Sequence, residues 1–465
     1  MSICKSGMDC NPKFGNIAIN VTKNHPLIQL ALVLPWQILF DLVMPDLKKT
    51  AAGKWWLGRN LKIRIHLGVY LLQQLFNKTD RQIEYDVKDN AAYRVFCGFG
   101  IVNNWHAPDH TKIEKFRSRL SPETQKNLAN ILAAYSVKLG FSDPSDIDFD
   151  STIQEANMAY PADSSLLKKL GMMANKVSLF LNKTILDGSQ QLVVNIKKIG
   201  STARAYFFLP KNSIKAVKDE KLMALLNVVE EEINPMIEVC LSLDESQIKK
   251  MPWYQKQTIN QIRESAVQYL KDVRTFLIEG SMVETKRLSF HLKEAVCFTK
   301  GKLGKKYQFG RAFQLGRTKG NFLFSSECTS PQMPDKTSLA SMMQEHEKTF
   351  GIVDINSVST DKGYYSGKNE KLLMQKCVKE IGIQRPVNIK KIHPKPISME
   401  CIEKLVNRRS GIEPLIGHVK HGGQMGRSRM RSDKTIEASG HSAVLGFNLR
   451  QLIRHQKGKY LLKAA

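Results

Sequence analysis

The sequence predicts a mixed α/β protein, because helix-type and strand-type hydrophobic patterns alternate along its 465 residues. Apolar residues recur every three to four positions through residues 25–140. A period of two replaces this spacing at residues 146–153, helical spacing returns over 164–280, and residues 288–330 are rich in strand-type runs. The chain is therefore expected to combine helices with a sheet and to begin with helices.

Residues 1–140 are predicted to form an all-helical domain. The first helix begins after His25, and Ser121, followed by proline, begins a helix that stops at Gly140. Another helix opens at Asp109 and has one apolar side. Its other side carries Lys112, Lys115, Arg117 and Arg119. Such a basic face is typical of a helix that contacts DNA, and equally of a solvated helix.

Three aspartates share one face of the strand predicted at residues 146–153: Asp146, Asp148 and Asp150. Three carboxylates in a row repel one another unless a cation or solvent relieves the repulsion. The pattern alone therefore leaves two alternatives, a cation site or a solvated strand end.

The rest of the chain continues the alternation of helices and strands. An apolar seam over residues 259–277 predicts a packing helix, and we interpret the nearby Trp253-Tyr254 pair as core rather than as a DNA contact. A basic loop that includes Lys302 precedes a predicted hairpin. A buried strand over residues 352–360 is expected to end at Asp361.

A stretch near residue 413 places one acid among permanent cations. Arg409 lies four residues before Glu413 and Lys420 seven after it, so all three would line one face of a helix. Pro414 indicates that a helix begins or bends here. Such a row is commonly a solvated helix face, and it is also suited to gripping a phosphodiester beside a metal-bound acid.

The composition favours a polyanionic partner. The chain carries 70 Lys and Arg against 43 Asp and Glu, a net charge of +27, and nucleic acid is the commonest partner of such a protein. A basic protein with another role would have the same composition. The eight cysteines form no C-x-x-C pair, which fits a reducing cytosol. The most apolar run, residues 26–44, is interrupted by polar residues and is interpreted as core rather than as a membrane span.

Three separated acids stand where a carboxylate can reach a cleft: Asp150 on a strand, Asp361 at a strand end and Glu413 near a helix start. Two or three such acids can hold two divalent ions about 4 Å apart, which activate a water or a 3′-hydroxyl for phosphodiester chemistry. Ligands that are all oxygen favour Mg²⁺ or Mn²⁺.

Together these motifs resemble those of the DDE-type transposases of bacterial insertion sequences, in the group loosely called the four/five type. Asp150-Ser-Thr, with Tyr160-Pro-Ala-Asp163, resembles the family's first-Asp motif, and Thr360-Asp361-Lys-Gly-Tyr-Tyr resembles its second. Arg409-x3-Glu413-x6-Lys420 resembles the signature Y-x2-R-x3-E-x6-K. Segments that follow His25 and Phe96 are similar to the family's N-terminal helical domain.

The resemblance implies an RNase H-like catalytic core in which Asp150, Asp361 and Glu413 hold two Mg²⁺ or Mn²⁺ ions. Only 52 positions separate Asp361 from Glu413, so the helical stretch is expected to be an insertion after the first strand. The implied domains are a DNA-binding helical domain (1–140), the first part of the core (141–163), a helical insertion (164–283) and the remainder of the core with a basic C-terminal tail (284–465).

The activity implied by the resemblance is transposition. Such a protein binds terminal inverted repeats, cleaves a strand at each end, and joins the 3′-hydroxyl to target DNA. A homodimer or larger synaptic assembly, a place beside the bacterial nucleoid in the cytoplasm, and no membrane partner are also implied. Contacts to DNA are expected from Arg409, Lys420, Arg117, Arg119, Lys302 and Arg427.

Some features leave alternatives open. Val406 stands where the signature has an aromatic residue, so an aromatic DNA contact is not expected there. Asp148 is a rival to Asp150, although the Ser-Thr that follows favours Asp150. A catalytically silent DNA-binding protein derived from a transposase and an RNase H-like nuclease without transfer activity are the alternative functions.

Overall fold

The computed structural model describes residues 20–48, 60–102, 104–184, 191–281, 283, 286–299, 307–328, 334–384 and 399–464. The protein is mixed α/β, as the sequence predicts, and it divides into two compact units. Unit 1 comprises Met1–Gln154, Ala312–Ser428 and Glu437–Ala465. Unit 2 comprises Glu155–Arg311 and Arg429–Ile436.

The helices, in chain order, are α1 Pro26–Val33, α2 Trp36–Lys48, α3 Asn60–Phe76, α4 Asp80–Asp89, α5 Ala91–Phe96, α6 His110–Arg119, α7 Pro122–Lys138, α8 Asp163–Thr184, α9 Ile196–Phe207, α10 Lys215–Ser242, α11 Glu245–Lys250, α12 Trp253–Glu279, α13 Asp335–Phe350, α14 Gly367–Gln375, α15 Met399–Ser410, α16 Ile412–His421 and α17 Asp433–Ala464. The strands are β1 Asp143–Glu155, β2 Val296–Thr299, β3 Tyr307–Lys319, β4 Leu323–Cys328, β5 Ser357–Thr360 and β6 Glu380–Ile383.

Capping side chains fix where the N-terminal helices begin. Thr79 forms a capping box with Gln82 at the start of α4. Asp109 accepts from the backbone N–H of Lys112 at the start of α6, and Ser121 does the same for Thr124 at the start of α7. The helix starts at Asp109 and Ser121 agree with the sequence-based predictions.

In unit 1 the strands lie in the order β4, β3, β1, β5, β6. The β1–β5 and β5–β6 pairs are parallel, and the β3–β4 pair is antiparallel. The strand predicted over residues 352–360 is only partly correct: β5 spans Ser357–Thr360, and Ile352 is 95% exposed. The sequence reasoning did not identify β6, which has only four residues, one of them a glycine.

The core of unit 1 is shared by the N-terminal helices and the sheet. Leu71 of α3, Leu128 of α7, Phe149 of β1 and Phe324 of β4 belong to one buried cluster, and α7 packs on β4. Residues 1–140, predicted as a domain of their own, therefore belong to a larger compact unit that also contains the sheet.

Helix α17 belongs to the same core, although the sequence indicated a basic tail. Val444, Leu445, Phe447 and Leu449 are buried on it. At Gly446 a β-carbon would lie 2.2 Å from the carbonyl oxygen of Gln74, so α17 and α3 approach each other closely at this position. A small residue is required there.

Unit 2 is built mainly from helices α8 to α12, as the periodicity predicts. The seam on α12 is confirmed, since Ile259, Ile262 and Tyr269 are all buried. The interpretation of Trp253 and Tyr254 as core is wrong, because in the first turn of α12 they are 71% and 60% exposed. Strand β2 pairs antiparallel with the first residues of β3.

Among the described residues, one bent pair of helices is a weak candidate for a membrane span. No single described helix combines the length and apolar character that a span requires, and only the bent pair Pro26–Val33 and Trp36–Leu47, at 73°, passes on length and composition.

Candidate active site

Asp150 lies on β1, and Asp361 directly follows the neighbouring parallel strand β5 at the same level of the sheet. The register pairs Asp146 with Ser357 and Asp148 with Ser359, and the same offset carried two residues further aligns Asp150 with Asp361. Adjacent strands lie about 4.8 Å apart, so the two carboxylates start from neighbouring backbone positions.

The following backbone amide orients each of these two carboxylates. The N–H of Ser151 donates to Asp150 Oδ1 at 2.8 Å, and the N–H of Lys362 donates to Asp361 Oδ1 at 2.5 Å. In both residues the second oxygen, Oδ2, is therefore the one left to face other partners.

Arg409 links Asp150 to Glu413. Its Nη2 lies 3.0 Å from Asp150 Oδ2 and 3.3 Å from Glu413 Oε1. The single helical face predicted for Arg409, Glu413 and Lys420 is interrupted, because α15 ends at Ser410 and α16 begins after Gly411. The indication from Pro414 that a helix begins here is confirmed.

All three predicted acids act electrostatically on the Arg409 guanidinium. Burial lowers its pKa, but the charges of Asp150, Asp361 and Glu413 outweigh that effect and leave the pKa raised. The pKa of Asp150 is raised, first by burial and also by the nearby Asp361 charge, although Arg409 lowers it. Asp150 and Glu413 thus pair directly with one arginine, and Asp361 is close enough for its charge to act on the same group.

The geometry around Arg409 is not that of a preformed metal cage. Within the part of the chain that the structure describes, no three His, Cys, Asp or Glu side chains stand close enough together to hold a metal ion. The guanidinium lies between Asp150 and Glu413, which accounts for their separation. The donor set itself is all carboxylate and suits Mg²⁺ or Mn²⁺. A divalent cation would stabilise the charged form of Asp150, which burial and the nearby Asp361 charge disfavour.

Asp148, the rival to Asp150, is held in a different environment. Its side chain is 5% exposed and is paired with Arg408 Nε at 2.9 Å and with Arg317 Nη1 at 3.3 Å. Burial raises its pKa, and the two arginines lower it. Two guanidiniums therefore already surround Asp148, and this arrangement favours Asp150 as the acid that reaches substrate.

Five of the six predicted DNA-contacting residues lie in unit 1. Lys420 is half-buried in the last turn of α16, and Arg427 is exposed. Arg117 is only 18% exposed and is ion-paired with Asp80. Arg119 lines a cavity of about 380 Å³ together with Lys112 and Lys115. Lys302 lies outside the described residues, and the DNA contacts themselves stay predictions.

Sequence reasoning missed three side chains beside the acids, Arg408, Asp335 and Gln314, and it included Tyr364 only as part of the motif around Asp361. Burial, with the charges of Asp335, Asp150 and Asp361, holds the Tyr364 pKa well above its usual value. Arg408 adjoins the signature without being part of it, and Asp335 is the first residue of α13. A single sequence carries no signal that would bring these positions together.

Comparison with known proteins relates part of this chain to transposases. Residues 16–119 match the family model described as "Transposase domain (DUF772)". Over 158 residues the chain is 24% identical to the "Uncharacterized protein ORF8 in nfe locus" of Rhizobium meliloti, an alignment that covers 33% of this chain and 73% of that protein. No solved structure matches the chain.

Proposed function

We propose that this protein is a DDE-type DNA transposase whose catalytic acids are Asp150, Asp361 and Glu413. The observation that carries the proposal is that Arg409 pairs with both Asp150 and Glu413, while Asp361 follows the strand adjacent to the one that carries Asp150. The match of residues 16–119 to a transposase domain supports it independently, because that segment contains none of the three acids.

The sheet supports an RNase H-like core for this activity. The first strand in sequence lies inside the unit 1 sheet and carries Asp150, and the neighbouring parallel strand leads directly into Asp361. Carboxylates at such positions can face one bound phosphodiester together. The five helices α8 to α12 follow β1 in the chain, as an insertion after the first strand requires.

The three carboxylates would hold two Mg²⁺ or Mn²⁺ ions. When bound, such ions activate a water or a 3′-hydroxyl and stabilise the leaving oxygen of an in-line displacement. Arg409 would exchange its carboxylate partners for a phosphate oxygen of DNA. Its Nε is buried and makes no hydrogen bond among the described residues, so a movement of the guanidinium that exposes this atom would free one further donor.

The partner in this proposal is double-stranded DNA, as terminal inverted repeats and as target. The net charge of +27 favours such a polyanion. Arg409, Lys420, Arg117, Arg119, Lys302 and Arg427 are the proposed contacts. Joining two transposon ends would require a homodimer or larger assembly. The protein would act in the bacterial cytoplasm, at the nucleoid.

Substitution of single carboxylates tests the proposal. Asp361→Asn and Glu413→Gln keep the size of each side chain and remove its charge. We expect both variants to bind end-bearing duplex DNA like the wild type and to lose Mg²⁺-dependent strand cleavage. Glu403→Gln, on the exposed side of α15, is the matched control and should cleave normally. Mg²⁺-dependent cleavage retained by both active-site variants would contradict the assignment.

A silent DNA-binding protein is the second candidate, and one observation favours it. Arg409 neutralises Asp150 and Glu413, and the described acids form no metal cage. A strand-transfer assay with end-bearing DNA separates the two candidates, because only the transposase gives joined products. Cleavage without joined products would instead point to an RNase H-like nuclease.

A further inference from the structure

The first residue of α13, Asp335, touches two strands of the unit 1 sheet. Its Oδ1 accepts a hydrogen bond from Gln314 Nε2 of β3 at 2.9 Å. Its Oδ2 accepts from Ser151 Oγ of β1 at 3.2 Å. Ser151 directly follows Asp150, and its own amide orients the Asp150 carboxylate. One carboxylate therefore restrains the residue that fixes Asp150.

A second path runs from Asp335 to the turn after Asp361. Gln314 is fully buried, and its Oε1 accepts a hydrogen bond from the Tyr364 hydroxyl. Tyr364, also fully buried, lies in the 3₁₀ turn Lys362–Tyr364 that Asp361 caps. Because the amide accepts from the tyrosine through its oxygen, its NH₂ group must point at an acceptor, and Asp335 provides one.

The chain packs tightly where Asp335 meets this turn. A β-carbon on Gly363 would lie 3.3 Å from Asp335 Oδ2. A further contact holds the same two elements without using the carboxylate: Asn369 Nδ2 donates to the carbonyls of Lys336, at 2.8 Å, and Tyr364, at 2.7 Å. The start of α13 is thus docked on the turn by Asn369 and connected to both acids by Asp335.

We propose that Asp335 is a positioning residue that fixes Asp150 and Asp361 relative to each other, through Ser151 on one side and Gln314 with Tyr364 on the other. The inference rests on the proposed function. Catalytic side chains have to be held within about 0.5 Å of their working geometry, and hydrogen-bonding partners of ligands typically change metal affinity by about 10–100-fold when removed.

The test compares three variants of the full chain. Asp335→Ala removes both acceptors, whereas Asp335→Asn keeps an acceptor for Gln314 and a polar group for Ser151. Asn369→Ala is the matched control, since it loosens the same helix and turn without touching the carboxylate network. Mn²⁺ binding followed by electron paramagnetic resonance, Mg²⁺ half-saturation of end cleavage and the melting temperature are measured for each.

We expect Asp335→Ala to weaken Mn²⁺ binding and to raise the Mg²⁺ half-saturation by about tenfold or more. Asp335→Asn should stay within roughly threefold of the wild type, because hydrogen bonding rather than charge is what positions the acids. Asn369→Ala should lower the melting temperature and leave both metal measurements unchanged. If the substitutions acted only by lowering stability, the metal measurements of all three variants would change together, and Asp335→Ala would not differ from Asp335→Asn and Asn369→Ala.

Two results would overturn the inference. Mn²⁺ binding by Asp335→Ala equal to that of the wild type would remove any positioning role, and an Asp335→Asn variant as impaired as Asp335→Ala would mean that the charge itself is required. If Asp335→Ala does not fold, Tyr364→Phe tests the same network from its other end, because it removes the hydroxyl that donates to Gln314, and it is expected to weaken Mn²⁺ binding in the same way. A wild type that neither binds Mn²⁺ nor cleaves end-bearing DNA would instead remove the proposed function, and this inference with it.

Discussion

Two consecutive arginines on α15 divide the acidic face of β1 between them. Arg408 pairs with Asp148 and Asp146, at 2.9 and 3.3 Å, and its Nη2 donates to the carbonyl oxygen of Ile147. Arg409 pairs with Asp150 and Glu413. The first arginine therefore anchors α15 to the strand, whereas the second lies among the proposed catalytic acids.

This division predicts different responses to substitution. Arg408→Gln leaves Asp148 buried with one cation fewer and should lower the free energy of unfolding by about 3–5 kcal/mol, with or without Mg²⁺. Arg409→Gln should lower it by about 1–3 kcal/mol without metal, because charge-assisted hydrogen bonds are lost. Added Mg²⁺ should restore part of that loss, since a cation can replace the guanidinium beside Asp150. Urea unfolding with and without Mg²⁺ measures both variants.

The recovery of stability in Mg²⁺, compared between the two variants, tests whether the two arginines have separate roles. Equal recovery of Arg408→Gln and Arg409→Gln in Mg²⁺ would contradict the separate roles. No recovery of Arg409→Gln at saturating Mg²⁺ would argue against cation binding at Asp150. In either case the wild type, measured in the same buffers, gives the effect of Mg²⁺ on the intact ion pairs.

At the scale of elements, the position of α17 depends on one glycine. Leu445 and Phe447 on either side of Gly446 are buried, and Gly446 itself faces the backbone of α3. The neighbouring atom is a carbonyl oxygen in a helix rather than the end of a flexible side chain, so the contact cannot relax without moving a helix.

Two glycine-to-alanine substitutions in α17 should therefore have opposite signs. Gly446→Ala should lower the free energy of unfolding by about 1–3 kcal/mol, because α17 has to move away from Gln74. Gly458→Ala meets no atom within 4 Å and should raise it by about 0.5–1 kcal/mol, because alanine favours the helix. Chemical denaturation followed by circular dichroism measures both, and a stabilising Gly446→Ala would show that the two helices do not approach as described.

The break between α15 and α16 is another element-scale feature. A β-carbon on Gly411 would lie 2.5 Å from Arg317 Nη1, so a side chain there would have to displace the Arg317 guanidinium. Arg317 also donates to the carbonyl oxygen of Arg408 and to Asp148. The end of α15 is thereby tied to the sheet, and Glu413 follows in the first turn of the next helix.

At the scale of the whole molecule, the net charge of +27 predicts strongly salt-dependent binding to duplex DNA. A protein that neutralises six to ten phosphates loses roughly 10³–10⁵-fold in affinity between about 50 and 200 mM salt. We expect a loss of this size, measured by fluorescence anisotropy. Lys420→Gln should reduce the magnitude of the logarithmic salt slope by about one if Lys420 contacts a phosphate.

Lys371→Gln, on an exposed position of α14, is the matched control for the salt experiment. It removes the same charge at a place that the proposal does not assign to DNA, so its slope should equal that of the wild type. A slope near zero for the wild type would contradict a DNA-binding function, whatever the catalytic acids do.

Local patterns of the sequence predicted much of the helical structure. The caps at Thr79, Asp109 and Ser121 act between residues three positions apart, so a single sequence contains the full signal. The helical period of its apolar residues likewise predicted the seam of α12. The exposure of Trp253 was not, because large aromatic residues near a helix start carry no periodic information about what covers them.

The sequence by itself determined that Asp150, Asp361 and Glu413 are candidates, since residue type and motif spacing are properties of the chain alone. Only the tertiary structure decided that Asp150 and Glu413 pair with Arg409, that Asp361 lies beside Asp150, and that Arg408 and Arg317 surround Asp148. Strand register and helix docking make those choices, and both depend on packing between residues hundreds of positions apart, such as Asp150 and Arg409. No local pattern can encode a distance of that kind.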